Sequence, residues 1–205
     1  LRWHIIRSLI AIVSAGFICF LMKDFIFDTI IFGPKKMDFP TYKFLCQAAT
    51  FIGVETTFCG DEFPFIVQNR TMAGQFSAHV MTSIISGFII SFPYILYEFW
   101  KFISPGLLEK EKAKSRGFIF VSSMLFFIGV LFGYYIISPL SINFLGTYQV
   151  SSQVLNEIDL GSFISLVRSS AIASGIIFEL PIIIYFLTKA GVVTPESLVK
   201  YRKYA

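Results

Sequence analysis

Charge is scarce in this chain. Only 15% of its 205 residues are Asp, Glu, Lys or Arg, whereas soluble domains carry about a quarter. Hydrophobic residues make up 55%, and mean hydropathy is +0.72. That balance excludes an ordinary water-soluble fold. No Lys/Arg tract is interleaved with aromatics and the net charge is only +4, so nucleic acid is not an expected partner. Histidine is limited to His4 and His79, far apart in sequence, and there is no CxxC pair. Neither a metal site nor a cofactor is expected. A Walker loop, a haem signature and a Ser-His-Asp elbow are also missing, so the chain does not read as an enzyme.

The apolar residues lie in continuous runs. A transmembrane barrel needs alternating segments of about ten residues. A helix crossing ~30 Å of hydrocarbon needs a run of ~20. The pattern predicts an all-α, polytopic membrane protein with a single transmembrane domain over residues 1–205. Its four spans are expected at 5–27, 81–103, 117–137 and 163–187. No small-residue cleavage site follows the first run, so it reads as a retained span. No internal repeat is evident.

Basic residues orient the spans. Lys110, Lys112, Lys114 and Arg116 crowd the loop 104–116, while 138–162 has no Lys or Arg. Arg2 and Arg7 begin the chain, and Lys189, Lys200, Arg202 and Lys203 end it. The positive-inside rule puts the N-terminus, loop 104–116 and the tail in the cytoplasm. Segments 28–78 and 138–162 then lie outside. The first is long enough for short helices or a hairpin on the membrane surface. It carries Cys46 and Cys59, whose disulfide is chemically permitted outside but not established by spacing. Cys19 lies in the first run and reads as packing. The chain starts at Leu1, and Thr194-Pro195-Glu196 begins a helix that the chain ends before finishing. More polypeptide is expected on both sides.

Few polar residues stand inside the runs. Glu179 sits mid-span before Pro181. A charge at mid-bilayer costs about 2.5–3.5 kcal/mol on insertion scales, so such residues face protein or water. Two readings stay open: a protonated packing Glu, or a polar spot on a cavity wall. Arg168 precedes it by three helical turns, ~16 Å along the axis, and reads as a snorkelling residue near the outer end. Glu98 is expected at the interface, paired with a Lys such as Lys101. Pro93, Pro139 and Pro181 are expected to bend or end helices. Glu109 and Glu111 read, on composition alone, as solvated loop charges.

Residues 91–112, SFPYILYEFWKFISPGLLEKEK, carry a more specific signal. Ser91, Pro93, Tyr97, Trp100, Phe102, Pro105 and Leu107 fall in the spacing S-x-P-x-x-x-Y-x-x-W-x-F-x-x-P-x-L, ahead of acidic and basic loop residues. This closely resembles the signature of the Sec-independent, twin-arginine translocase subunit TatC. LRWHIIRSL resembles that family's amino-terminal E-L-R-x-R-L segment, with Leu1-Arg2 in register. FFIGVLFGYYIISPLSINFL resembles its third span, and GIIFELPIIIYFLTKAGVVTPESLVKYRKYA its fourth span and following loop.

The resemblance implies a six-span, cup-shaped protein of the bacterial cytoplasmic membrane. It implies a receptor for folded precursors carrying twin-arginine signal peptides. The implied partners are TatA/TatB-type single-span subunits and further copies in a receptor complex, with transport driven by the proton motive force. Arg2 matches the family's amino-terminal recognition Arg, and Glu111 the loop acid that reads the arginine pair. Phe102, Pro105 and Leu107 belong to the same binding segment. Glu179 matches a polar Glu facing the concave interior. The Glu that precedes Leu-Arg in the family, and its last two spans, lie beyond this chain. No role carries over to Glu109. The alternative from another class is a proton-coupled small-solute transporter working through Glu179.

Overall fold

The computed structural model describes residues 2–53, 59, 63, 65–103, 115–151 and 156–189. Helix α1 covers Arg2–Leu21. A π-helical turn, Phe25–Ile31, and a short 3-10 turn, Gly33–Lys35, follow it. Helix α2 covers Pro40–Ile52, β1 Ile66–Gln68, and α3 Gly74–Ile103. Helix α4, Ser115–Phe132, runs through a second π turn, Gly133–Ile137, into α5, Ser138–Thr147. Strand β2 is Glu157–Asp159 and α6 is Leu160–Lys189. Four stretches are long and apolar enough to cross a membrane: Arg2–Leu21, Gly74–Ile103, Gly117–Thr147 and Leu160–Tyr185.

Tight backbone contacts hold these helices in pairs. Helices in lipid gain little from burying oil against oil, so close packing of small residues does that work. Gly87 of α3 faces Gly16 of α1, and a Cβ at Gly87 would lie 2.5 Å from the Gly16 nitrogen. Ser91 Oγ crosses the same seam to donate to the Ala11 carbonyl at 3.0 Å. Gly129 of α4 meets α6 likewise; a Cβ there would sit 2.7 Å from the Ser174 carbonyl oxygen. Aromatic rings join the pairs. Phe92 of α3 stacks on Phe126 of α4 with centroids 3.6 Å apart, and Trp100 lies 4.9 Å from Phe118.

Residues between the long helices build a layer across one end. Tyr42 of α2 is fully buried, and its hydroxyl lies 2.9 Å from the carbonyl oxygens of both Pro34 and Pro139. Burial raises the Tyr42 phenol pKa well above its usual value. Tyr134 donates to the Ile30 carbonyl at 2.8 Å, and Thr41 to that of Tyr135. The two connecting segments also pair directly. Strands β1 and β2 run parallel with Val67 opposite Ile158, and Arg70 reaches Glu157 at 3.3 Å. Cys46 and Cys59 form a disulfide with Cα atoms 5.2 Å apart.

Two expectations differ from this structure. The third apolar helix does not stop at Ile137; it continues to Thr147, through residues expected to be loop. Pro139 stands in the first turn of α5, where a missing N–H is tolerated, and the π turn before it accommodates the change. Of the two forms open to segment 28–78, it takes the short helix, α2, and its strand pairs with one from the second connection. Glu98 is not interfacial and does not bind Lys101. It is 2% exposed, and Lys101 lies over the Tyr97 ring at 6.0 Å.

Candidate functional site

The first turns of α1 dock on the last turns of α3 through one carboxylate. His4 Nδ1 donates to Glu98 Oε2 at 2.5 Å. Tyr94, one helical turn before Glu98 and so on the same face, donates to Oε1 at 3.2 Å. The Arg7 guanidinium approaches Oε1 at 3.8 Å. A buried carboxylate is tolerated only when its lone pairs are satisfied and its charge is met. Glu98 has an imidazole, a phenol and a guanidinium around it. Three donors from two helices thus fix where α1 begins.

That joint brings together two of the residues singled out by sequence. Arg2 lies exposed in the first turn of α1. Phe102 lies in the last turn of α3, 42% exposed, with its ring 6.2 Å from the His4 ring. Pro105, Leu107, Glu109 and Glu111 follow directly in sequence and fall outside the described residues.

Glu179 occupies a separate place. It is 6% exposed, and Ser122 Oγ of α4 donates to its Oε2 at 2.5 Å. Its Oε1 has no hydrogen-bond partner. The resemblance has this Glu facing the concave interior; it projects from α6 and is buried against α4. Pro181 stays inside α6 without ending the helix. Among the described residues no hydrogen bond or ion pair links the Glu179 pair to the Glu98 cluster.

Sequence pattern does not disclose the partners of either acid. Ser122-Ser123 inside FIFVSSMLFF marks a polar interruption that a helix must bury against something. It does not say that the something is Glu179. The pairing of Glu98 with His4 spans 94 positions, and only the Tyr94–Glu98 spacing could have hinted at a cluster. His79 needed no functional role: its ring stacks on Phe20 at 4.1 Å and its Nε2 donates to the Phe20 carbonyl at 3.1 Å. Among the described residues no group of three or more His, Cys, Asp or Glu is placed to hold a metal ion.

Four long apolar helices, glycine seams and acids buried between helices define a polytopic α-helical membrane protein. The family model described as Sec-independent protein translocase protein (TatC) matches residues 1–205, and the chain belongs to that family. It is 45% identical over 206 residues to the Sec-independent protein translocase protein TatC of Blattabacterium sp. subsp. Periplaneta americana (strain BPLAN), covering 100% of this chain and 77% of that protein. The TatC of Aquifex aeolicus (strain VF5) is 34% identical over 207 residues, covering 100% and 75%. A crystal structure of the twin-arginine translocase receptor TatC in DDM superposes with TM-score 0.75 at 33% identity, covering 100% of this chain and 80% of that one.

Proposed function

We propose that this chain is the receptor core of a twin-arginine translocation system and binds the signal peptides of folded precursors. One structural observation supports this reading: Glu98 pins the α1 turn bearing Arg2 to the α3 turn bearing Phe102. The loop that follows carries Glu111. A signal peptide presents two adjacent guanidinium groups, each a planar fork that carboxylates satisfy through charge-assisted, bidentate bonds. Glu111 supplies that carboxylate. On this reading Phe102, Pro105 and Leu107 contribute apolar contacts to the signal peptide, and Arg2 takes part in its recognition. This is recognition without covalent chemistry.

The same reading puts the N-terminus and loop 104–116 in the cytoplasm, in a bacterial cytoplasmic membrane. TatA/TatB-type single-span subunits and further copies of the chain are its partners, and the proton motive force drives transport. Glu179 is its intramembrane polar site. The transporter alternative needs polar groups handed from span to span. Glu179 instead accepts a hydrogen bond from Ser122, which does not favour that reading.

Photocrosslinking of a twin-arginine precursor to membranes containing Glu111→Lys tests the proposal. Crosslinks are expected to disappear while membrane insertion is retained. Undiminished crosslinking would falsify the role of Glu111. Arginine-independent solute flux in vesicles of the purified protein would support the transporter instead.

A further inference from the structure

A cavity of about 560 Å³ opens between the π turn Phe25–Ile31, α3, α4 and α6, beneath the layer built by the connecting segments. Its floor includes Ile31, Val167 and Ala171, each buried. Its rim includes Phe25, Ile90 and Leu131, each more than half exposed, so it opens sideways into the surroundings of the bundle. In a membrane protein those surroundings are acyl chains. Two of the polar residues in its lining matter here. Thr82 is 2% exposed, and its Oγ1 has no hydrogen-bond partner. Arg168 lines the same cavity, and none of the hydrogen bonds or ion pairs among the described residues includes its guanidinium.

Arg168 also lines a second space of about 390 Å³, bordered by the exposed Thr71, Ser77 and Gly161 at the end of the bundle that carries α2 and the strand pair. The guanidinium therefore stands where an oily chamber meets a small polar mouth. An arginine inside a bundle normally has an anionic or carbonyl partner. Among the described residues no acid is hydrogen-bonded or ion-paired to Arg168. Glu179 lies ~16 Å along the helix axis and is bonded to Ser122. Glu157 pairs with Arg70, Glu98 with His4, and Asp38 with Lys43. Asp159 caps the start of α6 at the Ser162 amide.

We propose that this chamber is a binding site for one anionic phospholipid, with an acyl chain in the apolar cavity and its phosphate on Arg168. The chemistry is complementary at both ends. An acyl chain fills the apolar volume without desolvating a polar group. A phosphodiester offers oxygens to the guanidinium fork and to the polar mouth. Anionic lipid heads are drawn to such basic sites between membrane helices. The proposal does not depend on the signal-peptide reading.

Native mass spectrometry of the detergent-purified chain, titrated with dioleoyl-phosphatidylglycerol or dioleoyl-phosphatidylcholine, tests it. Wild type is expected to hold one phosphatidylglycerol with a preference of about fivefold or more over phosphatidylcholine. Arg168→Gln should abolish that preference, and Arg168→Lys, which keeps the charge, should retain most of it. Ile89→Trp, which fills the apolar cavity away from the guanidinium, should weaken retention of both lipids. Glycerol phosphate, which has the head without the chains, should fail to displace the lipid. Equal retention of both lipids by wild type, or an unchanged preference in Arg168→Gln, overturns the proposal. So does full displacement by glycerol phosphate, or unaltered lipid retention in Ile89→Trp. A photoreactive group at position 89 that captures a precursor signal peptide instead of lipid overturns it as well, by assigning the cavity to a peptide.

Discussion

His4 and Glu98 stand 94 positions apart and share a hydrogen bond of 2.5 Å, with the carboxylate almost wholly shielded. The start of α1 is amphipathic only in a weak sense: Trp3, Ile5 and Leu9 are all exposed. Apolar packing therefore does little to hold this end of the helix. The Glu98 cluster supplies the directional contacts that packing does not, and it lies beside Phe102.

Glu98→Ala should loosen that end of α1. It removes the shared acceptor of His4, Tyr94 and Arg7, and hydrogen bonds to charged groups contribute about 1.5–3 kcal/mol. His4 and Arg7 are partly exposed, so water recovers some of the loss. A lower thermal midpoint in detergent is expected, with faster hydrogen exchange confined to the first turns of α1. Glu98→Gln, which still accepts hydrogen bonds, should lie between Glu98→Ala and wild type. Unchanged exchange at residues 2–8 in Glu98→Ala would refute the anchoring role. On the proposed function, both variants should weaken precursor crosslinking without abolishing it, because Glu111 is untouched.

Ser122→Ala should destabilise only when Glu179 is present. The serine is the donor to a carboxyl group packed between α4 and α6. Removing it leaves that group short of a partner, a loss of about 1–3 kcal/mol. In a Glu179→Leu background the same change should cost much less. A double-mutant cycle read by thermal unfolding checks this, since contacting residues couple and distant ones add. A coupling energy of zero would mean that the pair does not act as one unit.

The long helices were legible because hydropathy in a membrane protein is nearly a statement of length. Leu160–Tyr185 and Gly74–Ile103 follow directly from their apolar runs. The signature from Ser91 to Leu107 was legible because its prolines and aromatics keep fixed spacing. What was not legible depends on pairing across the fold. Nothing local to Glu98 points to His4 in preference to Lys101. The strand pair joins segments about 90 positions apart, and three-residue strands carry almost no periodic signal. The end of the third helix was missed for a different reason. Ser138-Pro139 reads as a stop, yet a π turn just before it lets the helix resume with proline in its first turn.

Gly87→Ala should damage the bundle although alanine is the better helix former. A Cβ at this position would meet the backbone of Gly16 at 2.5 Å and the Ile12 carbonyl oxygen at 2.7 Å, and neither can rotate away. Overpacking of this kind costs typically about 1–3 kcal/mol, which outweighs the roughly 0.5–1 kcal/mol gained from helix propensity. Gly117→Ala is the control, because a Cβ there meets nothing within 4 Å. It should be neutral or slightly stabilising. Thermal unfolding of the two variants should shift in opposite directions or leave Gly117→Ala unmoved; a gain at both sites would show that helix propensity outweighs the α1–α3 seam, and equal losses that the seam does not set Gly87 apart.

The disulfide offers a test of both structure and sidedness. Cys46 and Cys59 lie 13 positions apart, with Cα atoms at a distance that a bridge spans readily. Closing a loop of this length contributes about 2–3 kcal/mol on the chain-entropy account. Because it ties the middle of α2 to the segment leading into β1, the loss in Cys46→Ser should appear in the connecting layer. Limited proteolysis there should accelerate, while the Gly16–Gly87 seam keeps its protection in hydrogen exchange. Cys19 is buried and free, so it should stay unlabelled by a maleimide in the folded protein. Intact bacteria should then show no accessible thiol before reduction and two after treatment with a reductant. Two reactive thiols without reductant would break the assignment of this segment to an oxidising compartment, and with it the orientation that places Arg2 and Glu111 on the cytoplasmic side.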